Sequence, residues 1–129
     1  MHVQNPKLKN AMRYVFLLLV YFTTSAIFAQ DSDAYKSVTK AFQENFNSQN
    51  VEAVYDLYTS EMQEAMTKEG VSRFINGCYA QFGKLKSLTF IETAEGINSY
   101  TAEFDKISLV MELQISPDGK ISTIQFQEP

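Results

Sequence analysis

At Gln81-Phe82-Gly83-Lys84-Leu85-Lys86-Ser87 the spacing of the apolar residues changes from the period of a helix to the period of a β-strand. Before Gly83, apolar residues recur every three or four positions and therefore share one helix face: Val71, Phe74, Ile75, Cys78, Tyr79 and Phe82. Gly83 suits the position after a helix, because glycine accepts a left-handed backbone without steric cost. The junction therefore predicts a long helix that ends near Phe82 and a strand that starts at Lys84.

The residues upstream of this junction predict further helices. Val38, Phe42 and Phe46 recur at helical spacing in the first of them. Polar residues suited to N-caps stand before the helical segments: Ser32 or Asp33, Asn50, Ser60 and Thr67. Because Gln63 follows Ser60 by three residues, Ser60 is predicted to form a capping box.

The residues downstream of Gly83 predict four strands, at residues 84–95, 99–105, 107–115 and 120–127. In the second strand Tyr100, Ala102 and Phe104 share one face. The turn signals are residues 95–98 and Pro117-Asp118-Gly119. In the last strand Ile121 is out of step with Ile124 and Phe126, which predicts a bulge or a change of face.

Helices followed by a four-stranded meander predict an α+β domain. We expect the N-terminal helices to cover one face of a curved four-stranded antiparallel sheet, and solvent to reach the other face. Such an arrangement resembles a cone with an opening at one end, where a pocket could form.

The N-terminal residues predict a signal peptide over residues 1–29. Arg13 precedes the apolar run 14–22, and two small residues follow, Ala26 and Ala29, with Ile27 and Phe28 between them, in a segment similar to a cleavage site. The apolar run is about half of the ~20 residues needed to cross a bilayer, which favours cleavage over a membrane anchor. Whether translation starts at Met1 or at Met12 stays open.

The predicted cleavage leaves residues 30–129 as one exported domain, enough for a single core. Ile27-Phe28-Ala29-Gln30 is similar to the leaders of bacteria with two membranes, so we expect a periplasmic or secreted protein. Cleavage removes three of the 11 basic residues and none of the 15 acidic residues, and changes the net charge from −4 to −7. Phosphate backbones and anionic lipids repel such a chain, which excludes nucleic acid and membrane surfaces as predicted partners.

Few residues in the predicted mature chain suit catalysis. The only histidine, His2, leaves with the leader, and no GxSxG motif is present. Asp56 and Asp105 are predicted to face solvent, where a carboxylate does not gain the raised pKa of a general base. Cys78, the only cysteine, lies on the apolar helix face and is predicted to be a buried hydrophobe. We therefore predict no catalytic residue, no metal site and no cofactor.

Residues 50–127 resemble small exported domains of unknown function in the nuclear-transport-factor-2-like superfamily. Three features carry the resemblance: the helical pair at residues 51–58 and 60–62, the junction at residues 81–87, and the hairpin at residues 115–121. The resemblance implies a cone of helices and sheet. It leaves function open, because members include enzymes, ligand binders, dimerisation modules and accessory domains. In exported relatives such a domain often precedes a serine hydrolase, and none follows here before Pro129.

These observations favour a non-catalytic exported domain that binds a small apolar or amphipathic ligand, or an exported protein partner. Tyrosines suit a pocket mouth because they combine an apolar ring with a polar tip, and methionines add adaptable apolar surface. The predicted binding residues are Tyr58, Met62, Tyr79, Tyr100, Phe104 and Met111. Two alternatives stay open: a homodimeric structural or regulatory module that pairs through the outer sheet face near Val110, and a carboxylate-dependent hydrolase or isomerase that uses Asp105.

Overall fold

Three helices followed by four strands make up residues 32–129, the part of the chain that the computed structural model describes. The helices are α1 (Asp33–Asn47), α2 (Val51–Asp56) and α3 (Ser60–Phe82), and the strands are β1 (Leu85–Ala94), β2 (Ile97–Phe104), β3 (Ser108–Ile115) and β4 (Ile121–Gln127). The predicted α+β class, with helices first and a meander second, is confirmed. The predicted signal peptide lies outside the described residues.

Side chains cap the helices close to where the sequence predicts. The Ser32 hydroxyl accepts a hydrogen bond from the Tyr35 amide at 3.4 Å, and the Asn50 side chain accepts one from the Ala53 amide at 3.2 Å. Both bonds satisfy amides that have no partner within the helix.

The predicted capping box at Ser60 is wrong by one residue. Thr59 is the N-cap, and its hydroxyl accepts a hydrogen bond from the Met62 amide at 3.2 Å. The Thr59 amide donates to the Ile121 carbonyl at 3.0 Å, which keeps the Thr59 backbone extended as a cap requires. The Gln63 side chain donates instead to the Tyr55 carbonyl at 2.9 Å.

Helix α3 contains a break at Thr67, as the predicted cap implies. Thr67 has φ 56° and ψ 164°, outside the helical region, and its hydroxyl accepts a hydrogen bond from the Gly70 amide at 3.2 Å. A β-branched residue with positive φ is strained. Residues 60–66 and 68–82 are therefore two helical segments, each with its own cap.

The sheet is antiparallel and follows chain order, β1-β2-β3-β4. Glu95 and Gly96, with φ of 54° and 79°, form the two-residue turn between β1 and β2, whose positive φ values suit the twist of a hairpin. Tyr100, Ala102 and Phe104 are buried on the inner face, as predicted.

The bulge predicted in the last strand is present. Gln114 pairs with Thr123, whereas Ile115 pairs with Ile121. Ser122 is therefore the extra residue, and it lets both Ile121 and Ile124 pack against the core.

Gly83 connects α3 to the sheet in a conformation that only glycine adopts readily. Its φ is 86° and its ψ is −160°, and a Cβ at this position would lie 2.7 Å from the Asp105 Cβ. The Asp105 carboxylate accepts a hydrogen bond from the Lys84 amide at 2.9 Å, and the Lys106 amide donates to the Phe82 carbonyl at 3.0 Å. These bonds tie the end of α3 to the end of β2.

Helix α1 binds the first residue of β1 through side-chain amides. The Asn47 side chain donates to the Leu85 carbonyl at 2.9 Å and accepts from the Leu85 amide at 2.8 Å. It thus makes the two hydrogen bonds that the backbone of a neighbouring strand would make. Gln43 also donates to the Leu85 carbonyl, at 3.2 Å. The backbone amide and carbonyl of Leu85, at the start of the edge strand β1, are therefore hydrogen-bonded, and the cost of unpaired backbone groups is avoided there.

The opposite edge of the sheet is covered by the residues that follow α2. The Ile121 amide donates to the Leu57 carbonyl at 2.8 Å, and Tyr58 forms a parallel bridge with Ile121. The Lys120 ammonium donates to the Asp56 carbonyl at 2.8 Å. Contacts at both edges thus hold the helices over one face of the sheet.

The core lies between the helices and the inner face of the sheet. Aromatic rings form much of it, and Phe104 lies at their centre, with ring centroids 5.7 Å from Phe46, 5.3 Å from Phe82 and 5.5 Å from Phe126. Such edge-on and tilted contacts stabilise aromatic clusters beyond their burial.

We expect Gly83→Ala to lower the free energy of unfolding by about 3 kcal/mol, because the Cβ clashes with Asp105 and the backbone is strained. Gly77→Ala is the matched control. Gly77 lies in α3 with no atom within 4 Å of an added Cβ, so alanine should stabilise the helix by about 1 kcal/mol. Urea unfolding measures both, and equal effects would contradict this account of the junction.

Candidate functional site

An apolar groove opens between the C-terminal part of α3 and the inner face of β3 and β4. Its volume is about 490 Å³. Residues from α3, from the chain on either side of the start of β3, and from β4 onward line it: Phe74, Cys78, Gln81, Phe82, Ile107, Leu109, Ile124, Gln125, Phe126, Gln127 and Glu128. This volume falls within the range of small-molecule sites.

Aromatic rings form one wall of the groove. The rings of Phe74 and Phe126 stack with their centroids 5.9 Å apart, which joins α3 to β4 across the groove. Phe82 is also half-buried and packs on the buried Phe104. Ile107, with 39% of its surface exposed, adds an accessible apolar side chain to the lining. The accessible parts of these side chains form apolar surface at the groove, while the core behind them stays folded.

The groove has little charge. Among the described residues that line it, none is Lys, Arg or His, and Glu128 is the one acidic residue. Cys78 is half-buried, and desolvation raises the pKa of its thiol. The thiol is therefore held in its protonated form at neutral pH, which makes it a poor nucleophile.

Tyr58 is a buried residue whose hydroxyl finds no hydrogen-bond partner among the described residues. Only 2% of the Tyr58 surface is exposed. Burial, and secondarily the nearby Cys78, raise the pKa of Tyr58 well above its ordinary value. An unpaired buried hydroxyl costs about 1–3 kcal/mol, so the fold retains this group at the expense of stability.

Four of the six predicted binding residues lie in the core: Tyr58, Tyr100, Phe104 and Met111. The Tyr100 hydroxyl accepts a hydrogen bond from the Asn98 side chain at 3.1 Å. Met62 and Tyr79 are half-buried, and the Tyr79 ring lies 5.9 Å from that of Phe46. None of the six lines the apolar groove. Whether they contribute to binding stays a prediction.

Several apolar residues that line the groove lie on faces that the sequence predicts to pack in the core. Phe74, Cys78 and Phe82 belong to the predicted helix face, and Ile124 and Phe126 to the predicted strand. Their half-burial is the property that separates them from the core. The spacing of apolar residues along the sequence does not indicate this half-burial, because residues at the centre and at the margin of an apolar face recur with the same spacing.

A second, polar cavity of about 470 Å³ lies beside the hairpin between β3 and β4. Thr59, Gln63 and Lys120 line it, but each already makes a hydrogen bond within the fold. Their bonds cap α3 and hold the hairpin. Tyr58, whose buried hydroxyl has no hydrogen-bond partner among the described residues, also lines this cavity.

The carboxylates considered for catalysis face solvent. Asp56 and Asp105 are both exposed, as predicted, and Asp105 binds the Lys84 amide rather than lining the groove. Within residues 32–129 no three potential ligand side chains cluster so as to hold a metal ion.

The fold and the groove together define a class: a small α+β protein whose helices cover one face of an open antiparallel sheet and leave an apolar groove at its margin. A family described as "Protein of unknown function (DUF3887)" matches residues 39–124. The chain belongs to this family. No curated protein matches it.

The family match covers residues from α1 to β4 and so includes both walls of the groove. It does not test the resemblance to the nuclear-transport-factor-2-like superfamily, which stays a prediction. In the part of the chain from Ser32 onward, no helix combines the length and apolar character that crossing a bilayer requires.

We expect Tyr58→Phe to raise the free energy of unfolding by about 1 kcal/mol at neutral pH, because it removes an unpaired buried hydroxyl. The pKa of Tyr58 is higher in the folded state than the unfolded value of about 10, so its contribution to stability is fully present below pH 10. Above pH 10 the unfolded chain loses the tyrosine proton more readily than the folded chain, and this contribution is lost as the pH rises. The wild type should therefore lose stability above pH 10 more steeply than Tyr58→Phe.

Urea unfolding between pH 7 and 11 measures this difference. Tyr55→Phe is the control, since Tyr55 is a half-buried tyrosine one turn earlier in the chain. A neutral-pH stability of Tyr58→Phe well below that of wild type would show that the hydroxyl has a stabilising partner in the free protein.

Proposed function

We propose that this protein is a non-catalytic exported binding domain that holds a small apolar or amphipathic ligand in the groove between α3 and β3–β4. The observation that carries the proposal is the groove itself, with about 490 Å³ of space and stacked phenylalanines in its wall. Burial of apolar surface there stabilises a complex by about 25 cal/mol per Å² before the costs of association.

The chemistry of the lining supports binding without catalysis. Among the described lining residues, Cys78 and Glu128 are the titratable ones, and no histidine or lysine that could activate them lines the groove. Catalysis by a thiol or carboxylate needs such a partner or a matched pKa. The groove instead offers contacts that bind a ligand and leave it unchanged.

Export forms the second part of the proposal. Residues 1–29 would be removed as a signal peptide and residues 30–129 released as a periplasmic or secreted domain. The position of α1 supports this, because the helix begins at Asp33 and is capped by Ser32. Cleavage after Ala29 therefore leaves every capping group of the first helix in place.

The outer face of the sheet favours a ligand over a second copy of the chain as the partner. Three glutamates lie on the face opposite the core, each paired with a serine of a neighbouring strand: Glu92 and Glu112 with Ser99, and Glu103 with Ser108. In a symmetric dimer through this face, carboxylates of the two copies would approach one another, and like charges in an interface are unfavourable. Val110, paired with Thr101, offers apolar surface on this face.

The arrangement of helices before a meander also supports membership of the nuclear-transport-factor-2-like superfamily as part of this proposal. The helices lie over one face of the sheet and the groove lies at the margin of that face. In this interpretation the groove corresponds to the opening of the cone.

We expect Nile red, an uncharged apolar dye, to bind the mature protein at one site with a rise in fluorescence. Gln81→Trp places a large ring at the groove from an exposed position of α3 and should weaken binding at least tenfold. Ala80→Trp adds the same ring at an exposed neighbour that does not line the groove, and should leave binding unchanged. Equal affinities in the two variants would overturn the proposed site.

We expect the protein expressed with its leader to appear outside the cytoplasm with Gln30 as its first residue, because residues 26–29 have the features of a cleavage site. Mass spectrometry of the intact protein from the periplasm and the medium tests this. Ala29→Pro should block cleavage and serves as the control. A mature protein that keeps its leader would overturn the export proposal.

A further inference from the structure

We propose that the groove binds an extended peptide segment of another protein, which pairs with the free edge of β4 and places alternate apolar side chains in the groove. This inference rests on the proposed binding function and names the chemical class of the ligand. It joins two features of residues 32–129 that lie side by side: the apolar groove, and an edge strand without a neighbour along most of its length.

The first argument is that the groove reaches the edge of β4. Five consecutive residues, 124–128, line it, although the side chains of a strand alternate between the two faces of a sheet. Ile124 and Phe126 pack against the core, whereas the Gln125 side chain donates to the Glu112 carboxylate at 2.6 Å on the outer face. Residues of both faces line one space where that space also borders the backbone at the strand edge. The backbone of β4 is therefore part of the groove.

The second argument is that this edge has free backbone groups. At its start β4 already has a parallel neighbour, since the Ile121 amide donates to the Leu57 carbonyl at 2.8 Å and the Ile121 carbonyl accepts from the Thr59 amide at 3.0 Å. Further along, no helix or loop of the described chain forms a backbone–backbone hydrogen bond with residues 122–127. Alternate residues of an edge strand direct their N–H and C=O groups away from the sheet. The edge beside the groove can therefore accept an added strand through main-chain hydrogen bonds.

The third argument is the apolar character of the space beside this edge. Phe74 of α3 stacks on Phe126 of β4, and Ile107 adds exposed apolar surface to the lining. An added strand alternates its side chains between the two faces of the sheet. Those on the inner side enter the groove, and those on the outer side lie in solvent. The peptide therefore has apolar residues at alternate positions and polar residues between them.

The fourth argument is charge. Glu128 is the one charged side chain among the described residues that line the groove, and no basic side chain lies there to pair with an acidic peptide. Like charges brought together in an interface are unfavourable. The peptide segment therefore lacks Asp and Glu where it enters the groove, and a Lys or Arg placed beside Glu128 favours binding.

Synthetic peptides test the inference on the mature protein at pH 7. The parent is a short acetylated and amidated peptide in which threonine alternates with valine or leucine and a lysine ends the chain. Two derivatives carry N-methyl groups, one on the amides of the threonines and one on the amides of the apolar residues. Only one of these two sets of amides faces β4 in an added strand. We expect one derivative to bind about tenfold more weakly than the parent, because its hydrogen bonds are lost, and the other to bind as the parent does. Isothermal titration calorimetry measures the three affinities.

Protein variants and hydrogen exchange locate the peptide. The parent should displace Nile red and should slow amide exchange within residues 122–127. Gln81→Trp should weaken parent binding about tenfold, and Ala80→Trp should leave it unchanged, as for the dye.

A fourth peptide, with glutamate in place of the lysine, tests the charge argument. It should bind more weakly than the parent, and this difference should shrink in Glu128→Gln. Glu95→Gln is the control and should leave the difference unchanged, because Glu95 lies in the turn between β1 and β2, outside the groove lining.

Other outcomes overturn one proposal or both. Equal binding of the two N-methylated peptides, or parent binding that Gln81→Trp does not weaken, removes strand addition. A dimer of the protein alone that the parent peptide dissociates assigns the edge to a second copy of the chain and also overturns the inference. If Nile red binds in the groove and the parent peptide does not, the inference fails and the proposed function stands. If neither binds, both fail.

Discussion

The backbone of Gly83 and the carboxylate of Asp105 together hold helix α3 against the sheet. Asp105 approaches so closely that a Cβ on Gly83 would collide with it, and the same carboxylate binds the Lys84 amide. The Lys106 amide adds a bond to the Phe82 carbonyl. These contacts tie the C-terminal end of α3 to the end of β2 and the start of β1.

The groove lies between α3 and the strands, between two aromatic contacts. Near the junction Phe82 packs on Phe104, and further along α3 Phe74 reaches Phe126 on β4. Between these two contacts the helix and the strands stand apart far enough to leave about 490 Å³. The space lies at the margin of the core and is open to solvent.

Local pattern predicted much of the fold for identifiable reasons. The break at Thr67, the positive φ of Gly83 and the extra residue at Ser122 each follow from a capping side chain, a helix end or a parity change that short-range sequence displays. The sequence predicts the cap of α3 one residue too late, because a distant contact between Thr59 and Ile121 holds the Thr59 backbone extended. The residues next to Thr59 in the sequence do not indicate this distant contact.

The sequence by itself determined which residues form helices and strands and which side of each element is apolar, since these depend on spacing along the chain. Only the tertiary structure decided which apolar residues are fully covered. Phe104 and Met111, predicted to line a pocket, are sealed in the core, whereas Phe74 and Phe126 border open space. The physical reason is that the spacing of residues along the chain sets the direction in which each side chain points. The burial of that side chain depends on how closely a neighbouring helix or strand approaches it.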